Sequence, residues 1–575
     1  MRLAFDVEAN GLLELNREKP NAPLSKEGTK VWCICALDVD TLKSYSFRPN
    51  EIDSAIRLLR SASLLIGHNI LGFDIPFLER LYGSIEVELY DTQIISKLMY
   101  PDIKNHPLGG NSLLKWGQHL GCEKMDYNGG FDEYNPEMLK YCRQDVLVTS
   151  MIFNKQKKFV EQNPKPCQLE HDIAKIIAIQ TATGMCYDVE SASRLEQELL
   201  VERAGLQDVL DEAFPPIVEE QRYHKTTGKP LKRRVEHFNP GSSKMVAERL
   251  IEKYNWKPKA FTNSIDKKTG QPVPKADKEV LSSLKYSEAK TILEWKALDK
   301  ILQQISDWTD RSINSRDGKI HGSVNTQGCV TGRMSASQPN LQQVNSDPRT
   351  RQLFVPRKGW MQVGIDASGL EARILANRLH YWDGGRYAKL VLEGDVHTEN
   401  QKAMGLASRA EAKTFLYALV YGAGAEKMGK IVGGGPANGN RAKDKFFKAN
   451  PAFAKLVENV KFQVAKKNTV KLLDGREVYC RSEHSALNLQ IQGDGAVLMK
   501  TALRKFYDNL TELYRGRFAF IATVHDEWQI ECEPDIAERI GQLGCFCLLE
   551  AGKELGCEVP MEGEFKIGRN WSECH

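Results

Sequence analysis

The sequence predicts a multidomain chain of the α/β and α+β classes. Three observations lead there: strand-and-helix alternation over residues 1–155, a long helical middle, and a return to strands after residue 320. The length of 575 residues corresponds to about four domain-sized units. Hydrophobic residues make up 41% and charged residues 27%, an ordinary globular balance. No apolar run approaches the ~18 residues of a membrane span. The opening MRLAFDVEAN places Asp6 and Glu8 where a signal or transit peptide would be apolar or basic. A cytoplasmic protein without a membrane partner is therefore expected. The formal net charge is +4, too mild to identify a nucleic-acid partner by itself. The 13 cysteines include no C-x-x-C; Cys33, Cys35, Cys545 and Cys547 sit in apolar surroundings and are expected to be reduced core thiols.

Taken in order, residues 1–155 read as an α/β domain. Residues 186–310 are helical and rich in Lys and Arg, with an irregular stretch from Phe214 to Pro240. Residues 320–395 alternate strand and helix again, and residues 397–470 are mostly helical. Residues 480–575 hold a long helix, a hairpin and a final α/β segment.

A first set of acids lies in the N-terminal part. Leu3–Glu8 reads as a strand, which puts Asp6 and Glu8 on one face. Adjacent carboxylates repel unless a cation lies between them. Asp74 closes the segment Gly67-His68-Asn69-Ile70-Leu71-Gly72-Phe73-Asp74, and Tyr141 precedes Asp145 by one helical turn. The order D-x-E, H-N-x-x-x-F-D, Y-x-x-x-D resembles the DEDD 3′→5′ exonucleases with a tyrosine in the third motif. That resemblance covers about residues 1–155 and implies a ribonuclease H-like exonuclease domain. It implies Asp6, Glu8, Asp74 and Asp145 as ligands of two divalent metals, with Tyr141 orienting the attacking water. His68 and Asn69 are expected to pack or hydrogen-bond rather than to ligate.

A second set follows. Val363–Asp366 reads as a buried strand ending in an acid, and a helix starts after it with Ser368 as its cap. Phe518–Val524 reads as a strand running into His525-Asp526-Glu527, a hairpin with acids at its tip. Between them, Arg409, Lys413, Tyr417 and Tyr421 recur every four residues. They form one helical stripe, cationic at one end and aromatic at the other, over roughly 18 Å. A ligand with a phosphate end and a planar end suits such a stripe. The glycines 433–435 lack G-K-[ST], so they read as a connection between helices and not as a phosphate loop.

These elements resemble motifs A, B and C of family A DNA polymerases. IDASGLEARILA, DVHTENQ, AKTFLYALVYGAGAEKMGKIVG and the terminal NWSECH are similar to the replicative polymerases of short-tailed phages of the T-seven group. The resemblance implies a right-hand polymerase. Its connecting helices and thumb span 156–320, its palm 321–395 and 481–575, and its fingers 396–480. It implies DNA-templated extension of a primer 3′-OH with dNTPs, proofreading by the 3′→5′ exonuclease, and a role in phage DNA replication. Two Mg²⁺ ions per active site are implied, with Mn²⁺ able to substitute, held by Asp366, Asp526 and the Ala367 carbonyl. Arg409, Lys413 and His397 would grip the triphosphate. Glu371 and Tyr417 would lie under the sugar, with Tyr421 and Gly422 beside the nascent pair. Arg333, in Thr331-Gly332-Arg333-Met334-Ser335, and Gln492 would read the minor groove, and His525 would touch the primer terminus. The implied partners are primer–template DNA and dNTPs, with a replisome helicase or single-strand binding protein as further candidates.

Two departures bear on partners. The thumb insertion that can bind thioredoxin is short here, a basic run holding Arg222, Lys225, Lys229, Lys232, Arg233 and Arg234. Thioredoxin is therefore not an expected partner; the run suits duplex phosphates. A separate 5′-nuclease domain is not expected either. A repair-type family A polymerase, a single-subunit RNA polymerase and an inactive nucleic-acid scaffold are the competing readings, and the complete acid sets disfavour the last.

Overall fold

The computed structural model describes all residues except 11–29, 103–105, 123, 219–220, 222, 225, 231–234, 267–268 and 316. Arg222, Lys225, Lys232, Arg233 and Arg234 of the basic run lie outside the described residues. The chain forms two compact units. One comprises Met1–Cys186, Asn314–Val344 and Phe354–His575; the other comprises Tyr187–Ile313 and Asn345–Leu353.

The first unit begins with a five-stranded sheet: β1 (Arg2–Ala9), β2 (Val31–Asp38), β3 (Ser44–Phe47), β4 (Leu64–Gly67) and β5 (Glu88–Asp91), in the order β3-β2-β1-β4-β5. β1 is central, antiparallel to β2 and parallel to β4. Its alternation is decisive. Leu3, Phe5 and Val7 enter one core with Ile52, Ile56 and Leu59. Ala4 faces the other way, onto Met138, Cys142 and Val146. Asp6 and Glu8 share the face of Ala4, so they point toward the helix Pro136–Gln162. That helix starts on Asn135, whose side chain accepts from the Met138 N–H at 2.9 Å, with Pro136 in its first turn. Cys33, Cys35 and Cys547 are buried free thiols, and Cys545 is half-buried.

The same unit holds a four-stranded antiparallel sheet. Its central pair is Met361–Ala367 and Glu527–Cys532, flanked by Gly563–Gly568 and Phe518–Val524. Register puts Asp366 opposite both Glu527 and Glu564. The helix Ala486–Tyr514 crosses the sheet's inner face, where Phe506 stacks on Trp528 at 5.5 Å. At Gly364 a Cβ would lie 2.1 Å from the Cys574 carbonyl, so only glycine lets the C-terminal turn cross this strand. No helix among the described residues is long and apolar enough to cross a membrane.

One expectation about local structure fails. The helix after Asp366 runs Leu370–Asp383, and its cap position is Gly369 with φ 60° and no side-chain cap. Ser368 instead donates its N–H to Glu562 O at 2.9 Å and accepts from Arg373 Nε at 2.8 Å through its carbonyl. The left-handed turn at Gly369 carries the chain from strand to helix directly, so a serine cap is not needed.

A buried ionic cluster ties this unit together. Glu170, on the helix Pro164–Thr183, accepts from Lys500 Nζ at 2.8 and 2.7 Å and from Arg476 Nη1 at 2.6 Å. Arg476 Nε also meets Asp474 at 2.7 Å. All of these lie inside the core, so the charges offset one another there and nowhere else.

The second unit packs the helices Val189–Ala213, Ser243–Tyr254 and Ser287–Asn314 around Leu210, Phe214, Phe238, Val246, Leu250 and Ile292. Tyr254 and Tyr286 stack at 4.0 Å, and Arg203 pairs with Asp299. Inside the stretch expected to be irregular, Ile217–Val218 pairs with Val235–Glu236 as a short hairpin.

The ionic cluster yields a test. Glu170→Ala leaves Lys500 and Arg476 without their shared partner and should destabilise the fold by about 3–5 kcal/mol. Glu170→Leu combined with Lys500→Met should recover much of that loss. Chemical denaturation of the three proteins measures both effects.

Candidate active site

The acids of the four-stranded sheet come together through its register. Ala367 N–H donates to Asp526 O at 3.1 Å, which sets the hairpin tip beside the end of the Met361–Ala367 strand. The tip itself is His525-Asp526, with His525 exposed at φ 54°. Asp366 is half-buried. Burial, then Asp526, Glu527 and Glu564, push its carboxyl up to about 7.

Glu527 departs from the expected open tip. It lies in a strand and is only 4% exposed. Its Oε1 accepts from Trp571 Nε1 at 2.9 Å and from the Gln529 amide, and its Oε2 meets His575 Nδ1 at 2.9 Å. Strand alternation turns it inward, and three partners satisfy it there. Its proximity to Trp571 and His575 was not visible in the sequence, since 44 and 48 residues separate them.

The stripe forms on the helix Arg409–Val420, capped by Ser408, with Tyr421 as the residue that ends it. Arg409 and Lys413 are exposed; Tyr417 is half-buried. The Tyr417 and Tyr421 rings lie 6.5 Å apart at 24°, and His397 lies 6.2 Å from Tyr417. Gly422 follows with φ 70°, and a Cβ there would lie 1.9 Å from the His484 carbonyl. The glycines 433–435 join the helices Ala425–Ile431 and Pro436–Ala449.

Glu371 joins residues from four separate segments. Its Oε1 accepts from Arg333 Nη2 at 2.9 Å and its Oε2 from Tyr421 O–H at 3.2 Å. Gln492, on the long helix, lies beside the Tyr421 hydroxyl.

The N-terminal acids also converge. Asp74 starts the helix Asp74–Tyr82 and is buried, as are Glu8 and Asp145. Burial, then Asp145, push Asp6 up to about 7; burial, then Asp6, push Glu8 up to about 10. Burial, then Asp6, hold Asp74 well above the usual carboxylate range. Lys124 supplies a counter-charge. Its Nζ lies 2.7 Å from Asp145 Oδ2 and 4.6 Å from the Tyr141 ring centroid. Lys124 sits in an irregular segment 21 positions before Asp145, so no pattern could have marked it. His68 bonds Thr92 Oγ1 at 2.8 Å and Asn111 O at 2.9 Å, and burial pushes its pKa down to about 4. Asn69 donates its N–H to Asp91 at 2.9 Å. Both therefore hold the backbone beneath the acids.

Both acid groups suit a divalent cation on their donor chemistry. The Asp145 Oδ1 atom is buried without a partner, and burial, followed by the neighbouring acids, raises the carboxyls of Asp6 and Glu8. Asp6, Glu8 and the Cys142 thiol offer donor atoms within 4.8 Å of one another. Oxygen donors in such numbers favour a hard divalent cation.

Comparison with known proteins agrees with this geometry. The family model for DNA polymerase family A matches residues 219–573. The DNA-directed DNA polymerase of Escherichia phage T7 is 30% identical, with both chains covered completely. That of Enterobacteria phage T3 is 29% identical, again with complete coverage of both. Among solved structures, the polymerase domain of Pol1 from M. smegmatis, in complex with primer–template DNA and dNTP, superposes with a TM-score of 0.78 at 16% identity. The match covers 100% of this chain and 96% of that one, and it speaks to the fold. The acid pair at the end of the central strands, the helical stripe and full-length similarity to the phage enzymes lead to one statement: the chain belongs to DNA polymerase family A.

Proposed function

We propose that the chain is a template-directed DNA polymerase with a 3′→5′ proofreading exonuclease, acting in phage DNA replication. The observation that carries the polymerase reading is the approach of Asp526 to Asp366 across the Ala367 N–H, with Tyr421 of the stripe bonded to Glu371 on the helix that follows Asp366. The N-terminal residues 1–155 are the exonuclease, and their sheet order and mixed strand directions suit a ribonuclease H-like fold. Residues 156–320 provide the connecting helices and thumb, 321–395 and 481–575 the palm, and 396–480 the fingers.

Asp366, Asp526 and the Ala367 carbonyl would hold two magnesium ions, and Asp6, Glu8, Asp74 and Asp145 a second pair, to acidify the attacking oxygen and offset charge on the phosphate. The chain's own groups do the rest. Arg409 and Lys413 grip the triphosphate, and His397 adds a third contact. Tyr417 and Glu371 form the floor under the sugar. Glu371 is held by Arg333 and Tyr421, so a ribose 2′-OH would meet a carboxylate that cannot swing aside. Arg333 and Gln492 present donors to minor-groove acceptors, which are similarly placed in all Watson–Crick pairs and so report pair geometry. His525, exposed at the tip, contacts the primer terminus. In the exonuclease, Tyr141 orients the attacking water beside Asp145.

Extension of a 5′-labelled primer on a longer template tests both activities. With Mg²⁺ and dNTPs the primer should grow; without dNTPs it should shorten. Asp366→Ala should abolish growth and leave shortening, and Asp6→Ala with Glu8→Ala should do the reverse. Growth by Asp366→Ala protein would overturn the polymerase assignment. At Tyr417, the hydroxyl can replace a missing 3′-OH. Dideoxynucleotides should therefore be accepted, and Tyr417→Phe should reject them by at least about tenfold more, read as a kcat/KM ratio.

A further inference from the structure

The carboxylate of Asp395 joins two parts of the nucleotide site. It caps the helix Val396–Met404: Oδ1 accepts from the His397 N–H at 3.1 Å and the Thr398 N–H at 3.3 Å. Its Oδ2 accepts from Thr398 Oγ1 at 2.7 Å and from Arg409 Nε at 2.6 Å. One side chain thus starts the helix that carries His397 and engages the first cation of the next helix. The Arg409 contact is made through Nε alone. Its two terminal nitrogens form no hydrogen bond with the described residues, and a guanidinium held this way still offers a donor edge to phosphate. The His397 Nδ1 atom is likewise buried without a partner.

We propose that Asp395 is a positioning residue for the triphosphate, orienting Arg409 by its Nε bond and His397 by the helix cap. This rests on the reading of Arg409 and His397 as phosphate-binding groups. The physical gain is pre-orientation. A free arginine loses rotamer freedom when it grips a phosphate, and a residue already held loses less. Thr398 and two backbone N–H groups satisfy the same carboxylate, so it keeps its place when the triphosphate arrives.

Asp395→Asn separates the two roles, because asparagine caps helices as well as aspartate does but carries no charge to hold Arg409. The expected result is a KM for dNTP raised about five- to tenfold with kcat changed less than about twofold. The KM for pyrophosphate in the reverse reaction should rise in parallel, since the defect lies at the phosphates. Arg409→Ala should raise both KM values further, and adding Asp395→Asn to it should do nothing more. An unchanged or lowered KM in Asp395→Asn, with a raised KM in Arg409→Ala, would overturn the proposal and leave the triphosphate reading intact. Unchanged KM values in Arg409→Ala would overturn that reading and the proposal together.

Discussion

Like charges are held close together at two strand ends, and much of the first unit is arranged around that constraint. Asp366 faces Glu527 and Glu564 across its own sheet and has Asp526 at the neighbouring tip. Asp6 and Glu8 share a strand face with Asp145 nearby. Such groups separate unless the backbone forbids it. Here Asp366 rides on a strand paired on both sides, the Ala367 N–H holds the Asp526 turn against its end, and Asp6 and Glu8 are fixed by their pairing with β2. Burial first, and then the neighbouring carboxylates, raise the carboxyls of Asp6, Glu8, Asp74 and Asp366.

The chain answers this charge differently at the two sites. At the N-terminal acids, Lys124 comes in from an irregular segment and pairs with Asp145. Asp145 and Tyr141 keep its ammonium charged even though burial works against it. At the four-stranded sheet Lys566 offsets part of the charge on Asp366, while its Nζ donates to the His575 carbonyl at 2.8 Å. Glu527 is taken inward and bonded by Trp571, Gln529 and His575, so the open edge is left to Asp366 and Asp526. The C-terminal turn thus helps decide which acids of the hairpin remain available.

Buried polar bonds reinforce the apolar packing around these sites. Arg378 holds Asp494 with two bonds at 2.6 and 2.7 Å, and Leu473 N–H meets the same carboxylate at 2.9 Å. Glu170 gathers Lys500 and Arg476 in the same core. These bonds tie the helix bearing Gln492 to the turn at 471–476 and to the helix Pro164–Thr183. Glu371, Arg333, Tyr421 and Gln492 then stand on a fixed base, as their proposed reading of base-pair geometry requires.

Local periodicity was enough to read most elements. The strands bearing Asp6 and Asp366, the hairpin around Asp526 and the stripe from Arg409 to Tyr421 follow from spacings of two and four, because strands and helices repeat at those intervals. The order of motifs likewise pointed to the family. Where local rules compete, tertiary structure decided. Ser368 reads as a cap, yet Gly369 makes the turn, because the adjoining strand and Glu562 fix the backbone first. Glu527 reads as a tip residue, yet pairing with the neighbouring strands turns it into the core. Lys124, the Glu371 cluster and the Asp395–Arg409 pair rest on contacts between segments distant in the chain or on opposite sides of a turn. No local pattern encodes such contacts, because they exist only once the sheets and helices have been brought together.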